Sequence, residues 1–272
     1  MNFRRHLTRR RLLAGLGAGA SIAAVDAFAI EPAWLDATRH IVPLERLPTA
    51  LEGFTIAQIT DAHLTELGRV EEAILASLRR ASPQLIVLTG DLIDSEADLD
   101  TLAQLCAALR ETGAQVLATL GNWEYWGELS IAKLTRTYAR SGARLLVDGW
   151  HDWDTGLSIY ASDDSTAGSP RPLPAEPRAP IELLLTHSPA FVDEFTSPGR
   201  SFDLCLAGHT HGGQIVAGIW APVTPPGSGR FVAGWYTTPN GPLYVSRGTG
   251  TSLVPARFCC RPELPLFELV RA

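Results

Sequence analysis

The sequence has no excess of basic side chains, and this limits what it can bind. Among 272 residues, 23 are Lys or Arg and 29 are Asp or Glu, which gives a formal net charge of -6. Binding to a nucleic-acid backbone depends on clustered Lys and Arg, so a nucleic-acid partner is not expected. An acidic chain can still bind phosphate where metal ions supply the local positive charge.

Cysteine is also scarce. The four cysteines are Cys106, Cys205, Cys259 and Cys260. They form no C-x-x-C pair, which argues against a structural zinc site. Cys205 lies in an apolar run and is predicted to be a small buried side chain. The adjacent pair at 259 and 260 is expected to be chemically inert, although a disulfide from one of them to another cysteine remains open in an oxidising compartment.

Charged residues make up only 19 % of the chain and apolar residues 46 %. This composition is typical of a globular protein and excludes a disordered one. A chain of 272 residues is long enough for one large domain with a substantial core and marginal for two. We therefore expect one main domain.

Residues 1–29 have the composition of an export signal or an N-terminal anchor. Arginines at 4, 5, 9, 10 and 11 precede an Ala- and Gly-rich apolar stretch that ends at Ala27-Phe28-Ala29, an A-x-A cleavage pattern. The segment from Thr8 to Leu13 resembles a twin-arginine signal, which implies the twin-arginine export machinery as a partner and a periplasmic or cell-surface location. The alternative is an uncleaved membrane anchor, because the apolar run is just long enough to span a bilayer, although Asp26 weakens it.

Strand and helix patterns alternate after a lead-in at residues 30–51, in which Pro32, Pro43 and Pro48 are expected to prevent any long element. Periodicity predicts strands at 54–60, 85–88 and 116–120, with helices at 70–80 and 97–111 between them. Such alternation favours βαβ units with a parallel sheet.

The second half of the chain is richer in strands. These are predicted near 144–148, 157–161, 181–186, 203–207, 242–246 and 265–270, with loops at 162–180 and 221–230 and a hairpin connection at 150–154. The predicted fold class for residues 52–272 is α/β, as a two-sheet sandwich flanked by helices.

Potential metal ligands follow five successive apolar runs, directly where each predicted strand ends. They are Asp61 and His63, Asp91, Asn122, His187, and His209 with His211. In α/β sheets, ligands bind beyond the carboxyl ends of the strands. Each motif alone is weak, since D-x-H, Gly-Asp and Gly-Asn are common turn sequences. His209-Thr210-His211 is stronger, because alternate residues of an extended segment face the same way. The joint pattern is far more specific than its parts.

This ordered set resembles the calcineurin-like metallophosphoesterase family. The motifs are Asp61-Ala62-His63, Gly90-Asp91, Gly121-Asn122, His187 and Gly208-His209-Thr210-His211. The resemblance covers roughly residues 52–270 and extends to Gly212-Gly213-Gln214 and to the segment from Tyr244 to Thr251. These extra features are similar to the exported or membrane-linked branch of the family.

The resemblance implies a hydrolase of phosphoesters that uses two divalent metal ions and a hydroxide between them. Asp61, His63 and His211 would hold one ion, Asn122, His187 and His209 would hold the other, and Asp91 would bridge the two. Asp91, Asn122 and His211 are thereby implied as catalytic residues. Mixed imidazole and carboxylate ligands suit Mn, Fe or Zn, and such a pair of ions can activate a water for attack on phosphorus.

The chain departs from the family pattern at Trp123, where the family usually has a histidine that protonates the leaving group. An indole does not titrate near neutral pH. We therefore expect a preference for pyrophosphate-type or activated esters, or another acid such as His151 or Glu124. Trp123 and Glu124 are the candidate substrate contacts, and the simpler alternative is that Trp123 packs beside its aromatic neighbours.

Other functions remain open. Phosphodiesters, monoesters and pyrophosphates are all candidate substrates, and a lipid-linked one is among them. A pyrophosphate in an acylated UDP-sugar, such as a lipid A precursor, is one alternative, but nucleotide sugars are cytoplasmic and export argues against it. An alternative of another class is a metal- or phosphate-binding protein without turnover, since the usual acid is missing at position 123.

Overall fold

A computed structural model describes residues 9–173, 175–194, 200–218 and 220–272, and the side chains of 9–12 and 14 are not described. The first element is helix α1 (Arg9–Val25), which continues through 26–30 and 31–33 without leaving helical geometry. The stretch Gly15–Ala33 is long and apolar enough to cross a membrane by length and composition, and it lies largely outside the packed core. Arg4, Arg5 and Thr8 of the predicted export signal lie outside the described residues.

The prediction that prolines prevent any long element at residues 30–51 was wrong, because strand β1 (Asp36–Leu44) lies there. It pairs in parallel with the last strand, β12 (Glu263–Arg271), along its full length. Pro43 is tolerated because β1 is the edge of its sheet, where a missing backbone N–H leaves no neighbouring strand without a donor.

The predicted βαβ units are confirmed in the first half of the chain. Strands β2 (Thr55–Ile59), β3 (Leu85–Thr89), β4 (Gln115–Thr119) and the short β5 (Ala143–Leu145) are parallel neighbours. Helices α2 (Arg69–Ala81) and α3 (Leu99–Arg110) connect them as predicted. Two further helices, α4 (Asn122–Trp126) and α5 (Ile131–Arg140), were not predicted from the sequence.

The second sheet is built from the later strands. They are β6 (Gly149–Trp153), β7 (Leu157–Ala161), β8 (Ile181–Leu185), β9 (Leu204–Ala207), β10 (Gly234–Thr238) and β11 (Gly241–Val245), with the one-turn helix α6 (Phe191–Glu194) after β8. The predicted hairpin connection at 150–154 is instead strand β6, and the turn follows it. Strand β10 was also missed.

Across the described residues the two sheets have six strands each, in the orders β1-β12-β2-β3-β4-β5 and β10-β11-β9-β8-β7-β6. One apolar core fills the space between the sheets and includes Ile56, Val87, Ile159, Leu183 and Phe267. A second core lies between the first sheet and helices α2, α3 and α5. The predicted two-sheet sandwich flanked by helices is confirmed. Its parallel strands β2, β3, β4, β8 and β9 bring their carboxyl ends, and the polar residues beyond them, to one end of the sandwich.

Candidate metal centre

The structure brings the predicted ligands together in two adjoining groups. The first group is Asp61, His63 and His211, whose ligand atoms all lie within 4.8 Å of one another. The Nε2 atom of His211 is 3.2 Å from Nε2 of His63 and 3.5 Å from Oδ1 of Asp61. Loops after β2 and β9, which belong to different sheets, supply these side chains, so the site lies where the two sheets meet.

The second group is centred on His187. Its Nε2 atom lies 3.1 Å from Oδ2 of Asp91, 3.1 Å from Oδ1 of Asn122 and 3.1 Å from Nδ1 of His209. The two groups are joined, because the backbone N–H of His209 donates to both carboxylate oxygens of Asp61, at 2.9 and 3.0 Å. All seven predicted ligands therefore lie in one continuous cluster.

These spacings fit metal coordination. Zinc–nitrogen bonds of about 2.0–2.1 Å, at tetrahedral or octahedral angles, place two ligand atoms roughly 2.8–3.4 Å apart. The distances of 3.1 and 3.2 Å between imidazole nitrogens fall in that range. Nitrogens this close together could share a cation.

Three of the histidines have their second ring nitrogen held by an acceptor. Nδ1 of His63 lies 2.6 Å from Oδ1 of Asp94. Nδ1 of His187 lies 2.8 Å from the carbonyl oxygen of Thr89, and Nε2 of His209 lies 2.6 Å from that of Pro226. An acceptor at one nitrogen keeps the proton there and leaves the lone pair of the other nitrogen directed into the cluster, as is usual for metal-bound histidine.

The backbone at this cluster is strained. Five of the seven residues have positive φ: Asp61 (54°), His63 (45°), Asp91 (52°), His209 (73°) and His211 (50°). Such values are uncommon for residues other than glycine, and they concentrate at functional sites, where the surrounding structure maintains them. The tight turns after the strands thus allow side chains that are close in sequence, such as Asp61 and His63, to join the same cluster.

The glycine of the Gly90-Asp91 motif lies where two loops approach each other closely. Gly90 has φ of +87°, and a Cβ atom there would lie 2.6 Å from both the backbone nitrogen of Gly121 and Nδ1 of His187. A larger residue would separate the loops after β3 and β4, which carry Asp91 and Asn122. Gly90 is therefore needed for the packing that brings these two ligands together.

The electrostatics of the cluster are those of buried acids beside imidazoles. Burial raises the pKa of Asp61. For Asp91, burial acts in the same direction, but His187 outweighs it and the pKa is lowered to about 2. Burial, with the nearby His63, lowers the pKa of His211 well below its usual value. For His187, by contrast, burial is outweighed by the charges of Asp91 and Asp61, which raise the pKa. Imidazoles beside buried carboxylates form a donor set suited to divalent cations.

His211 differs from the other three histidines in its second ring nitrogen. Within the described part of the chain, Nδ1 of His211 has no hydrogen-bond partner, although the residue is buried. Its Nε2 atom faces His63 and Asp61. The residues present therefore fit two metal ions, one for each group of side chains.

Glu124 does not lie where a substrate contact requires. Its side chain is buried, and its two oxygens accept backbone N–H groups of Asp91, Leu92 and Gly121 at 2.8–3.0 Å. Burial and the charge of Asp91 raise its pKa to about 7. The expectation that Glu124 contacts substrate does not fit this arrangement, because its oxygens are occupied in joining the loops after β3 and β4.

Trp123 lies at the cluster and borders its cavity. Its ring packs edge-on against His63 and against Trp126, with centroid distances of 5.7 and 5.6 Å. Its backbone N–H donates to Oδ1 of Asp91 at 2.8 Å. Both expectations for this residue are compatible with its position, since it packs beside an aromatic neighbour and also faces the open space over the ligands.

His151, the other proposed acid, lies away from the cluster. It belongs to β6, and its ring nitrogens contact Gln115 at 2.6 Å and Arg144 at 2.9 Å. Burial and the charge of Arg144 lower its pKa. A histidine in these contacts does not serve as an acid at the metal cluster.

Residues that the sequence did not single out hold the ligands in place. They include Asp94, which contacts His63, and Arg257, a buried side chain whose guanidinium donates to the carbonyl oxygens of Gly250 and Cys260. The Gly250 N–H in turn donates to the carbonyl oxygen of Asp61 at 2.8 Å. The position of Asp94, three residues after the predicted ligand Asp91, could have indicated a role at the site. No sequence pattern indicated a role for Arg257.

The cysteine predictions can now be compared with the structure. All four cysteines, each within the described residues, are free, and the predicted burial of Cys205 is confirmed. Cys260 is buried behind the site, and its thiol lies 3.2 Å from the carbonyl oxygen of His211. The backbone N–H groups of Cys259 and Cys260 donate to the Glu31 carboxylate, which joins the end of the N-terminal helix to the wall of the site.

A cavity of about 520 Å³ opens over the ligands. Its floor includes Asp91, Asn122, His209 and His211. Its walls come from residues 213–215, 222–226 and 252–254 with Trp123 and Trp126. The predicted loop at 221–230 thus forms one side of the cavity.

Comparison with known proteins identifies the family and several relatives of this chain. Residues 54–213 match the model of the calcineurin-like phosphoesterase family. The chain is 28 % identical to the uncharacterized metallophosphoesterase YkuE of Bacillus subtilis, over 97 % of this chain and 98 % of that one. It is 29 % identical to the phosphodiesterase YaeI of Escherichia coli, over 97 % and 100 % of the two chains.

More distant similarities are also present. A transmembrane protein with a metallophosphoesterase domain from Danio rerio is 27 % identical over 85 % of this chain and 56 % of its own length. Among solved structures, a dimetal phosphatase from Danio rerio aligns with 73 % of this chain and 88 % of its own at 14 % identity, with a TM-score of 0.46. With the family model matching more than half of the residues and two candidate metal sites at the ends of the strands, the chain belongs to the calcineurin-like phosphoesterase family and is a metallophosphoesterase.

Proposed function

We propose that this protein hydrolyses phosphodiesters or pyrophosphates at a pair of divalent metal ions. Asp61, His63 and His211 would hold one ion, Asn122, His187 and His209 would hold the other, and Asp91 would bridge the two. The observation that carries this proposal is the joining of two imidazole–carboxylate groups in one buried cluster at the floor of an open cavity.

The two ions would supply a hydroxide near neutral pH and neutralise the phosphoryl oxygens. The chain's own residues prepare the site for this chemistry. Asp94, Thr89 and Pro226 fix the protonated nitrogen of three histidines, so that their other nitrogens remain free to bind metal. Glu124 fixes the loops that carry Asp91 and Asn122, which keeps the ligands in place without reorganisation.

The choice among phosphoesters follows because the described residues over the ligands include no general acid. Among the described residues that border the cavity, the histidines are His209 and His211, and both belong to the ligand set. Trp123 occupies the position next to Asn122 and cannot donate a proton to an alkoxide. Esters with good leaving groups, such as aryl or phosphate groups, should therefore be cleaved fastest.

A direct assay tests this function. Metal-reconstituted protein, with Mn, Fe or Zn added separately, is expected to hydrolyse bis(4-nitrophenyl) phosphate, and the Asp91→Asn variant should lose the activity together with bound metal. Metal analysis of the same samples gives the stoichiometry, which should approach two ions per chain. Protein that binds two ions and hydrolyses no ester in a broad screen would instead favour the alternative of a binding protein without turnover.

We also propose that the N-terminal helix is retained as an anchor and that the catalytic domain lies outside the cytoplasm. The Ala27-Phe28-Ala29 pattern is helical, Ala27 is buried, and its carbonyl oxygen accepts the N–H of Arg257 at 2.9 Å. A peptidase requires an extended chain, so a folded domain held in these contacts resists cleavage there.

The test of this placement is the mass of the mature chain in membrane and soluble fractions. An intact chain in the membrane fraction, accessible to protease added outside the cell, is the expected result. A soluble chain beginning at residue 30 would show that the signal is removed, and protection from external protease would place the domain in the cytoplasm.

A further inference from the structure

The walls of the metal cavity are mainly apolar. Trp126, Ile215, Val223, Leu253 and Val254 border it, and each presents a large hydrophobic side chain to solvent. Leu253 is 91 % exposed and Val223 is 73 % exposed. Hydrophobic side chains gathered at the opening of a site, rather than scattered singly, indicate a surface that binds an apolar partner.

The described part of these walls carries no positive charge. Among the described residues that border the cavity, none is Lys or Arg, and the polar side chains away from the ligands are Thr210, Gln214, Thr224 and Ser252. A nucleotide or sugar phosphate with several negative charges would find cations only at the metals. This composition favours a substrate with a single phosphoester group and an apolar remainder.

Part of this wall is continuous with the N-terminal helix. The side-chain amide of Gln214 donates to the carbonyl oxygens of Ser252 and Val254. Three residues beyond Val254, the N–H of Arg257 donates to Ala27 of the helical segment that is long and apolar enough to enter a membrane. Three residues span at most about 11 Å, so the opening of the cavity lies close to that segment.

We infer that the substrate is an amphiphile, a phosphodiester or pyrophosphate that carries an alkyl or acyl chain and is taken from the membrane in which the helix is anchored. The chain lies along Leu253, Val254 and Val223, while the phosphorus reaches the metal ligands on the floor. This inference rests on the proposed function, since it names the substrate class for the same site.

A series of soluble substrates tests the inference without relying on a natural lipid. The full chain, held in lipid nanodiscs with Mn²⁺, is given methyl, butyl and hexyl 4-nitrophenyl phosphate. In each case an oxygen from water bonds to phosphorus, the bond to 4-nitrophenolate breaks, and the alkyl phosphate remains. Each fully buried methylene contributes about fourfold to binding, or about 0.8 kcal/mol, so kcat/KM should rise at least about tenfold from methyl to hexyl.

Substitutions at the wall separate specific contact from partition of the substrate into lipid. In the double variant Leu253→Ser with Val223→Ser, the ratio of hexyl to methyl kcat/KM should fall to about threefold or less. Both side chains are exposed, so the variant is expected to fold. The matched control is Ile41→Ser, an exposed apolar residue of β1 outside the cavity, which should keep the native ratio.

The outcomes distinguish the two proposals. Hydrolysis of all three esters at equal kcat/KM by the native chain would overturn the inference and leave the proposed function intact. If kcat/KM rises steeply from the methyl to the hexyl ester and the double variant shows the same rise, the inference is also overturned, because the wall then does not bind the alkyl chain. No hydrolysis of any ester by protein with two bound metals would remove the proposed function itself.

Discussion

The Nδ1 atom of His63 lies 2.6 Å from the Oδ1 atom of Asp94, and the opposite ring nitrogen faces His211 at 3.2 Å. The carboxylate holds the proton on Nδ1, with the result that Nε2 keeps its lone pair for the cluster. Asp94 is partly exposed and lies at the edge of the site, so we expect it to influence a bound metal through the histidine.

Replacing Asp94 should therefore weaken metal binding without removing a ligand. Carboxylates that hydrogen-bond a metal-bound histidine contribute about 10–100-fold to affinity, and Asp94→Asn should lose a factor in that range. Metal titration checks the affinity, and activity should return at high metal concentration. The exposed Asp154, in the turn after β6, offers a matched control, since Asp154→Asn should leave metal affinity unchanged. Native affinity in Asp94→Asn would contradict the role assigned to this contact.

Metal binding should stabilise the folded chain. Asp61 and Asp91 are buried in one cluster, and cations that bind only the folded state offset the cost of burying their charges. A metal at about 100 times its Kd adds about 2.7 kcal/mol of stability, which corresponds to a rise in Tm of roughly 5–10 °C for a protein of this size. Thermal unfolding with and without chelator measures the rise. A Tm that does not respond to chelator would show that the cluster holds no structurally important metal.

Trp123→His should restore a proton donor beside the ligands. General-acid catalysis is worth about 10²–10⁴ in rate, so kcat/KM on an alkyl phosphodiester should rise by about 10²-fold, while nitrophenyl esters change little. Trp126→His is the control, since it makes the same change at an aromatic neighbour that also borders the cavity. Unchanged alkyl-ester activity with normal metal content would refute the explanation offered for the tryptophan.

Arg257 should be essential for the loop behind the site. Its buried guanidinium donates to the carbonyl oxygens of Arg247, Gly248, Gly250 and Cys260 at 2.6–3.2 Å. A lysine cannot reach all of these acceptors, and each buried acceptor left unpaired costs about 1–3 kcal/mol. Chemical denaturation should show such a loss for Arg257→Lys. The control Arg261→Lys changes a more exposed ion pair with Asp36 and should cost less than about 1 kcal/mol.

His40 should make the protein less stable in acid. Trp235 donates its indole N–H to Nδ1 of His40, and burial lowers the pKa of this histidine below 6.5, with Glu263 opposing and Arg247 reinforcing the shift. As pH falls through 6.5, the unfolded chain binds the proton first, so stability is lost between that value and the lower folded pKa. Urea midpoints across this range should decline less steeply for His40→Gln. If the urea midpoints of both proteins decline equally, groups other than His40 cause the loss of stability in acid.

Strand and helix positions near the ligands were predictable because the local patterns agree with the fold. The apolar run Leu85–Thr89 is buried on both faces, and the helix Arg69–Ala81 has its apolar residues on one side. Among the strands, prediction failed for β1, β6 and β10, all of which are edge strands. Pro43 and the adjacent polar residues His151 and Asp152 are acceptable there only because one side of each strand has no neighbour, a fact of topology that no local pattern contains.

The candidate metal ligands could be predicted from the sequence alone. Seven side chains of the right chemistry follow apolar runs, and parallel strands place their carboxyl ends on one edge, so Asp61 and Asp91 had to come close to each other. Tertiary structure decided what surrounds them. Glu124 binds backbone N–H groups where a substrate contact was expected, and Leu253 borders the cavity from a loop nearly two hundred residues away from Asp61. Such contacts depend on how loops that are far apart in sequence pack together across two sheets, and no local sequence pattern specifies that packing.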